Sequence, residues 1–359
     1  MKSKNIAIVV TDLGGNGAEK SVLNRAQTFF ENGHNVVLFL IENVKIYDVD
    51  NYKFPIIALT QRRDTFKFLG KIGDYIYAKI LEYKMKQFEK FDIVFSHLPR
   101  ADRVVKLIKH PNKYFVIHMS YKAELEKFKK RRAAKKLKLY RYLYEGEKII
   151  TVSEAMVKDF DTLGIKYESA EVIYNPFNID EIRQKGDESI ELDFDYIISS
   201  SAFKKQKRYD VLLDAFKLIK HDIKLIVLAT PHPNLISMIK ERALEKKVII
   251  LGFQQNPYKY IKNAKLLVLA SDREGLPRVV VESLILGTPV VSTDCPTGPA
   301  EVLVNELSRW LVPMDNPKLL AQKIDEALDE KIQIEDYIVE KFGKQNIYKK
   351  LEQLLKEDR

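Results

Sequence analysis

Short aliphatic runs alternate with amphipathic segments along this chain, and that alternation limits the fold more than any other feature. Residues 5–10 form a continuous β-branched run, as expected for a parallel strand that is buried on both faces. The segment 18–32 has the apolar spacing of a helix and is followed by Gly33, which suits a helix end. The run 35–41 completes a βαβ unit, which implies parallel strands and a right-handed crossover. Further strands are predicted at 92–96, 114–118, 148–152, 196–199, 224–228, 247–251, 265–270 and 289–293, with a helix at 209–220.

The pattern predicts an α/β fold of two doubly wound Rossmann-like domains that face each other across a cleft. A chain of 359 residues is too long for one ordinary core. Pro176 interrupts the periodicity, so the predicted domains are 1–175 and 176–335. The charged helical segment 336–359 is expected to pack back on the first domain. Ligands of open parallel sheets lie at the carboxyl ends of the strands, so two facing domains would hold two ligands in one crevice.

Composition excludes several classes of protein. The chain is 46% hydrophobic, which excludes disorder as its dominant state, and Cys295 is its only cysteine, which excludes a disulfide scaffold. The first residues lack the apolar stretch of a signal peptide, and no apolar run is long enough to span a bilayer. We therefore expect a cytoplasmic protein, with a peripheral position on the inner face of the cell membrane as a further option.

The net charge of +10 is concentrated in two stretches of the first domain. Residues 122–141 contain ten Lys and Arg against two Glu, and residues 62–90 interleave basic with aromatic and aliphatic side chains. Such stretches favour an anionic partner, either phospholipid headgroups, a lipid-linked phosphate or nucleic acid. A solvated helix face explains them equally well.

The segment after the predicted strand 265–270 contains the strongest indication of a ligand site. A turn leads to Pro277, which suits the first position of a short helix at 279–286. Backbone N–H groups at such a helix start bind phosphates or sugar hydroxyls. Glu274 before the helix and Glu282 within it would meet the sugar and a ribose diol, or else they are a capping and a surface residue. The residues that would offer the N–H groups are Gly275, Leu276 and Arg278.

Two further loops offer groups for an anion. Gly15 and Gly17 lie in a loop of small residues after the first strand, which allows the backbone to approach a phosphate closely. The loop fits neither a dinucleotide-binding nor a Walker pattern, and a plain turn is the alternative. Cations after the predicted strand 196–199 would stabilise the charge that grows on a departing diphosphate, unless they are simply solvated. They are Lys204, Lys205, Lys207 and Arg208.

Metal chemistry is not expected, and no cofactor is predicted. The six His are scattered, and none pairs with a Cys or another His at metal-ligand spacing. Two Asp-x-Asp matches, at 48–50 and 193–195, lack the context of a metal clamp. Cationic side chains and helix ends are expected to replace the metal.

The segment 270–303 resembles the signature of the retaining GT-B glycosyltransferases of the glycosyltransferase group one family, in the form found in bacterial surface-polysaccharide members. In that signature two glutamates are separated by seven residues, with EGxP starting at the first and GxPVVxT following the second. The loop 12–20 and the residues 152–154 and 175–176 also resemble landmarks of the family. The matching signature residues are Glu274, Gly275, Pro277, Glu282, Gly287, Pro289, Val290, Val291 and Thr293.

The resemblance implies a retaining hexosyl- or N-acetylhexosaminyltransferase. Its donor would be a nucleotide-diphosphate sugar, with a UDP-sugar favoured, and its acceptor a glycan or lipid-linked glycan in surface polysaccharide or lipopolysaccharide synthesis. In this family the second domain binds the donor and the first supplies the acceptor site, and the reaction proceeds on one face of the sugar. Catalytic roles are implied for Glu274, Lys207 and His118, the last at the end of the predicted strand 114–118. Donor contacts are implied for Gly15, Gly17, Lys204, Arg208, Phe253, Gln254, Gly275, Leu276, Pro277, Arg278 and Glu282.

One departure from the family pattern supports an alternative hypothesis. The family's arginine position is occupied by Ala202, so either Lys204 or Arg208 replaces that arginine or donor affinity is reduced. The alternative is a non-catalytic nucleotide- or glycan-binding protein that keeps the fold. A nucleic-acid-binding protein is not expected, because the chain has no RNP-like or helix-turn-helix signature. The basic stretches 62–90 and 122–141 are instead predicted to contact an anionic membrane surface or a lipid-linked acceptor.

Overall fold

The computed structural model describes residues 2–357 and divides them into two compact units. The first unit runs through Phe177 and includes the C-terminal segment from Lys344, and the second unit is Asn178–Gly343. The second unit thus extends beyond the predicted limit of 335. Its last part is tied to the unit because Tyr337 Oη and Lys341 Nζ donate hydrogen bonds to backbone carbonyl oxygens, at 2.5 and 2.8 Å.

The first unit is built on a sheet of seven parallel strands with helices between them. The strands are β1 (Asn5–Val10), β2 (Asn35–Glu42), β3 (Ile56–Thr60), β4 (Ile93–His97), β5 (Lys113–Ile117), β6 (Lys148–Thr151) and β7 (Ser169–Val172). The helices between them are α1 (Gly17–Glu31), α2 (Lys71–Met85), α3 (Pro99–Val105), α4 (Tyr121–Glu126), α5 (Lys130–Tyr144) and α6 (Glu154–Thr162). The strand order is β3-β2-β1-β4-β5-β6-β7, so the two strands that sequence analysis missed, β3 and β7, are the partly exposed edges.

The order of this sheet places a crevice between β1 and β4. Ile6 pairs with Val36 of β2 on one side and with Ile93 of β4 on the other. The connections from β1 and β4 therefore run in opposite directions, and ligands of such sheets bind at that point. The glycine-rich loop follows β1, and His97 is the last residue of β4.

The second unit repeats this plan with six parallel strands. The strands are β8 (Tyr196–Ser199), β9 (Lys224–Val227), β10 (Val248–Ile250), β11 (Leu266–Leu269), β12 (Val290–Thr293) and β13 (Leu311–Val312). The helices are α7 (Ile179–Gly186), α8 (Tyr209–Phe216), α9 (Pro233–Glu241), α10 (Tyr258–Lys262), α11 (Arg278–Ile285), α12 (Pro299–Val302), α13 (Pro317–Asp329) and α14 (Tyr337–Phe342). The order β10-β9-β8-β11-β12-β13 reverses between β8 and β11, which makes the carboxyl ends of these two strands the expected ligand position.

The last helix, α15 (Lys344–Glu357), packs on the first unit. The phenol oxygen of Tyr348 lies 2.8 Å from Nε2 of His34, and Lys344 forms an ion pair with Glu31 at 2.9 Å. Leu351 of this helix is fully buried. Residues 358–359 of the predicted tail lie outside the described residues. None of the described helices combines the length and the apolar character needed to cross a bilayer.

Candidate active site

An ion pair between Lys207 and Glu274 lies at the carboxyl ends of the central strands of the second unit. Lys207 ends the short 3₁₀ turn after β8, and Glu274 lies in the loop after β11. Lys207 Nζ is 2.6 Å from Glu274 Oε1, and the two side chains are only 16% and 10% exposed. Two residues that sequence analysis assigned to catalysis are thus in direct contact, although they are 67 residues apart in the chain.

Three residues that sequence analysis missed join these loops. The N–H group of Asp272 donates to the carbonyl oxygen of Gln206 at 2.8 Å. Arg273 Nη2 donates to the side-chain oxygen of Gln206 at 3.3 Å. The loop that bears Lys207 is therefore fixed against the loop that bears Glu274. No pattern in the sequence indicated these contacts, because Gln206 is a neutral residue within a run of cations.

The backbone around Glu274 is supported from below by Thr297 and Gly298. Thr297 Oγ1 donates a hydrogen bond to the carbonyl oxygen of Glu274. Gly298 has φ +92°, and a Cβ atom there would lie 2.3 Å from the carbonyl oxygen of Gly275 and 2.6 Å from Cδ of Pro277. Only glycine fits this close approach. The turn-forming sequence Thr-Gly-Pro was the signal that could have identified this support.

Helix α11 begins directly after the Glu274 loop and points its N-terminus toward it. Pro277 is the N-cap residue (φ −71°, ψ 93°) and not the first helical residue that was predicted. The helix starts at Arg278, one residue before the predicted start. Gly287 follows the helix end with φ +81°. Leu276 is buried, which fixes the loop before the helix. The backbone N–H groups of this first turn are positioned to bind an anion in the same loop region.

Glu282 is buried within α11, so the alternative that it is a surface residue is wrong. Its exposed fraction is 8%, and Oε1 accepts a hydrogen bond from Arg278 Nη2 at 2.9 Å. Arg278 is equally buried. The two residues are one helical turn apart, and the ion pair orients the carboxylate.

Arg208 occupies the position where the family pattern has glycine, and its backbone explains that preference. Its φ and ψ are 47° and 51°, in the left-handed region that favours glycine. The guanidinium is held by two carboxylates, by Asp210 at 2.8 Å and by Asp315. These hydrogen bonds raise the pKa of Arg208 above its usual range. Lys204 and Ala202 are exposed on the same loop.

The residues expected near the nucleotide base lie at the edge of this sheet. Phe253 and Gln254 follow β10, which is two strands away from β8. Phe253 is 44% exposed, and Gln254 Nε2 donates to the carbonyl oxygen of Leu251 at 2.8 Å. An exposed aromatic ring beside an amide is a suitable surface for a base to stack on.

In the first unit, the glycine-rich loop lies at the carboxyl end of β1. Gly15 has φ +85°, and a Cβ atom there would lie 3.3 Å from Cγ2 of Ile46. Gly17 is the first residue of α1. The loop is held by Tyr47 Oη, which donates to the carbonyl oxygen of Asn16 at 2.9 Å. The backbone is therefore both ordered and accessible at this crevice.

A histidine pair lies at the neighbouring strand ends of the same unit. His118 follows β5, which ends at Ile117, whereas it was predicted to be the last residue of the strand. His97 Nδ1 is 2.8 Å from His118 Nε2. His97 is fully buried, and burial lowers its pKa well below the usual value, so its ring is neutral near pH 7. This contact fixes the orientation of the His118 ring.

A buried carboxyl group lies directly behind the histidine pair. Asp102 accepts hydrogen bonds from Ser96 Oγ at 2.6 Å and from Tyr144 Oη at 2.7 Å. Burial raises the pKa of Asp102 to about 7. Ser96 immediately precedes His97, so this network helps to set the end of β4.

No group of three or more His, Cys, Asp or Glu side chains within the described residues is arranged to hold a metal ion. The charged groups at the carboxyl ends of β8 and β11 are instead those of Lys207, Glu274 and Arg208.

Comparison with known proteins identifies the class to which this fold and site belong. The family model described as glycosyl transferases group 1 matches residues 180–346, and the model described as glycosyltransferase family 4 matches residues 15–181. Together these matches extend over residues 15–346. The second unit thus matches the group 1 glycosyl transferases, the first unit matches glycosyltransferase family 4, and the two parallel-sheet units are the two domains of a GT-B fold.

Relatives of known name act on bacterial glycans. The chain is 34% identical over 179 residues to the N-acetylgalactosamine-N,N'-diacetylbacillosaminyl-diphospho-undecaprenol 4-alpha-N-acetylgalactosaminyltransferase of Campylobacter jejuni, covering 49% of this chain and 48% of that protein. It is 27% identical over 169 residues to the lipopolysaccharide 1,6-galactosyltransferase of Escherichia coli, covering 45% and 47%. The chain thus spans about half the length of each of these relatives.

A solved structure has the same fold over the whole chain. HepE from Anabaena, in complex with UDP and glucose, superimposes with a TM-score of 0.76 at 17% identity and covers 99% of this chain and 100% of that chain.

Proposed function

We propose that the protein is a retaining glycosyltransferase that uses a nucleotide-diphosphate sugar, with a UDP-sugar favoured. The observation that carries this proposal is the shielded ion pair of Lys207 and Glu274, 2.6 Å apart at the carboxyl ends of β8 and β11. An ammonium group at that position stabilises a diphosphate more as it leaves, because the charge on the departing oxygens grows. HepE, which shares the fold, was solved in complex with UDP and glucose, and this supports the choice of base.

The bond changes need no protein base. The bond between the anomeric carbon and the β-phosphate oxygen breaks while the acceptor oxygen attacks on the same face. The acceptor proton passes to an oxygen of the departing diphosphate. Lys207 and the N-terminus of α11 stabilise the negative charge that grows on that diphosphate. Glu274 holds Lys207 and contacts the sugar hydroxyls.

The other donor contacts follow from position in the second unit. Glu282 binds the ribose hydroxyls, and its ion pair with Arg278 orients the carboxylate for this purpose. The backbone at Gly275, Leu276 and Pro277 approaches the phosphates. Phe253 and Gln254 contact the base. Because Arg208 is paired with two carboxylates, we assign it to fixing the loop as well as to the donor, and we assign the exposed Lys204 to the phosphates.

The acceptor belongs to the first unit in this proposal. The histidine at 118 orients the reacting hydroxyl, and the backbone at Gly15 and Gly17 offers N–H groups to an anionic part of the substrates. The names of the relatives support a glycan or lipid-linked glycan, since one acts on a diphospho-undecaprenol and another on lipopolysaccharide. We place the reaction in the cytoplasm, at an anionic membrane surface contacted by 62–90 and 122–141, with no role for nucleic acid.

A donor panel tests this function directly. Thermal unfolding is measured with UDP-, GDP-, ADP- and dTDP-sugars, each with EDTA present. The true donor at 100 times its dissociation constant should stabilise the protein by about 2.7 kcal/mol. No stabilisation by any nucleotide sugar would overturn the proposal, and stabilisation only when a divalent metal is added would overturn its metal-free chemistry.

One observation favours a second candidate, a non-catalytic binding protein that keeps the fold. Ala202 replaces the family's arginine, and Arg208 is already neutralised by Asp210 and Asp315. Slow hydrolysis of the donor without acceptor separates the two candidates. An enzyme releases the nucleotide diphosphate over hours, whereas a binding protein leaves the donor intact.

A further inference from the structure

Helix α2 and the 3₁₀ turn Lys67–Leu69 before it expose large apolar side chains to solvent. The exposed fractions are 82% for Phe68, 65% for Ile72, 55% for Tyr75 and 67% for Tyr83. Ile72, Tyr75 and Tyr83 are spaced by three and eight residues, which puts them on one side of α2, and Phe68 lies in the turn that precedes the helix. Single exposed apolar residues are ordinary, but four on one helix and its preceding turn require an explanation. The opposite face is buried through Gly73, Tyr77, Ala78 and Leu81.

The turn that carries Phe68 is fixed against the helix. A Cβ atom on Gly73 would lie 2.1 Å from the carbonyl oxygen of Phe66, so the backbone of the turn contacts α2 directly. The ring of Phe66 packs edge-on against Tyr77, with centroids 5.2 Å apart. Phe68 is therefore exposed on a turn whose backbone and Phe66 ring are packed against α2.

Lysines alternate with the apolar side chains on this face. Lys67, Lys71 and Lys79 are exposed beside Phe68, Ile72 and Tyr75. Lys79 Nζ lies 5.4 Å from the centroid of the Tyr75 ring. Long lysine side chains beside apolar groups can reach upward to anionic headgroups while their neighbours enter an apolar layer.

A second basic element adjoins this face. Helix α5 contains seven Lys and Arg and no Asp or Glu, and most of its basic side chains are exposed. Leu139 of α5 and Lys71 of α2 line the same cavity, of about 340 Å³, together with Tyr77. The two helices are thus neighbours. We call the exposed residues of 67–86 and 130–142 the α2–α5 surface.

We propose that the α2–α5 surface docks on an anionic phospholipid bilayer, with Phe68 and Ile72 entering the acyl-chain region and Tyr75 and Tyr83 at the level of the headgroups. The biological purpose of this docking surface rests on the proposed function. The proposal adds a defined apolar anchor to the electrostatic membrane contact named there. Interfacial helices combine apolar side chains with Lys and Arg in this way, and tyrosine is enriched at membrane interfaces.

The charge of the surface decides between occupants. A second copy of the chain would place two cationic faces against each other in a symmetric contact, which is unfavourable. Phe68, Tyr75 and Tyr83 have rings that could stack on nucleic-acid bases, but the exposed Ile72 has none and gains nothing from a polar nucleic acid. An anionic bilayer matches both the lysines and the apolar side chains.

Vesicle flotation tests the proposal with the full chain and no donor present. The wild type should float with phosphatidylcholine vesicles that contain phosphatidylglycerol. Phe68→Ser/Ile72→Ser should weaken partitioning by at least about 100-fold, because each side chain loses its transfer into an apolar layer. The matched control is Leu218→Ser/Ile236→Ser, which changes side chains that are 49% and 52% exposed in the second unit and should float like the wild type.

The charge component has its own matched pair. Lys130→Gln/Lys135→Gln should weaken binding about 10-fold or more, since each basic residue near an anionic surface contributes about 1 kcal/mol. Lys240→Gln/Lys246→Gln in the second unit, with the same change in net charge, should have little effect.

Three results would overturn the proposal. They are equal flotation of the Phe68→Ser/Ile72→Ser variant and the wild type, no flotation of the wild type, and a dimer in solution that this variant dissociates. Circular dichroism and the donor-induced thermal shift verify that each variant is folded. Because the donor shift does not depend on lipid, its loss in the wild type would refute only the proposed function, and loss of flotation alone would refute only the docking surface.

Discussion

Replacing Lys207 by alanine removes the side chain that forms an ion pair with Glu274 in the second-unit site. The distance of 2.6 Å and the low exposure of both side chains mean that water shields this pair weakly. If Lys207 also neutralises the departing diphosphate, its loss costs about 2–4 kcal/mol in the transition state. The expected result is transfer that is about 30- to 1000-fold slower.

The assay is release of the nucleotide diphosphate under single-turnover conditions, with saturating donor. Lys205→Ala is the matched control, because Lys205 is exposed on the same 3₁₀ turn and should keep nearly full activity. Lys207→Arg should recover part of the lost rate, since it keeps the charge with a different geometry.

Loss of folding must be separated from loss of catalysis. Without Lys207, the buried carboxylate of Glu274 has lost its partner, which costs about 1–3 kcal/mol of stability. Lys207→Ala/Glu274→Gln removes that charge and should unfold at a higher temperature than Lys207→Ala alone, while remaining inactive. A folded Lys207→Ala variant with a rate within threefold of the wild type would refute the role assigned to the ammonium group.

Three other perturbations test the supports of the two sites. Gly298→Ala should lower stability by about 2 kcal/mol more than Gly146→Ala in thermal unfolding, because both positions have positive φ but only the first lacks room for a Cβ; equal losses would contradict this. Since the pKa of Asp102 is raised to about 7, the folded protein binds a proton that the unfolded chain releases. The free energy of unfolding should therefore fall by up to about 1.4 kcal/mol per pH unit as the pH rises from 4 to 7. In urea titrations Asp102→Asn should lack that slope, and an unchanged slope would exclude Asp102. His97→Leu should slow transfer up to about 10-fold without weakening donor binding, because it releases His118; unchanged kcat would contradict this.

The fold was predictable from sequence where strands are buried on both faces. The runs that contain Ile6, Val94 and Leu267 lie in central strands, and a strand that is buried on both faces requires a continuous aliphatic run. The missed strands β3, β7 and β13 lie at sheet edges or contain two residues, where partial exposure removes the continuous apolar run. An edge strand therefore depends on its pairing with a neighbouring strand, and the local sequence pattern does not indicate that pairing.

The candidate site was predictable in its residue types more than in its contacts. Sequence indicated that Lys207 and Glu274 each follow the carboxyl end of a strand, and the structure places them in contact. Sequence could not indicate that the guanidinium of Arg208 is held by Asp315, since that carboxylate comes from a segment more than one hundred residues away. The same applies to Thr297, whose contact with the Glu274 backbone depends on the tertiary packing of two loops.

The most direct test of the account is a crystal structure of the protein with UDP, grown in the presence of EDTA. The account predicts the diphosphate at the carboxyl ends of β8 and β11, with a phosphate oxygen within hydrogen-bonding distance of Lys207 Nζ and near the N-terminus of α11. A diphosphate bound elsewhere, or one that binds only through an added metal ion, would contradict it.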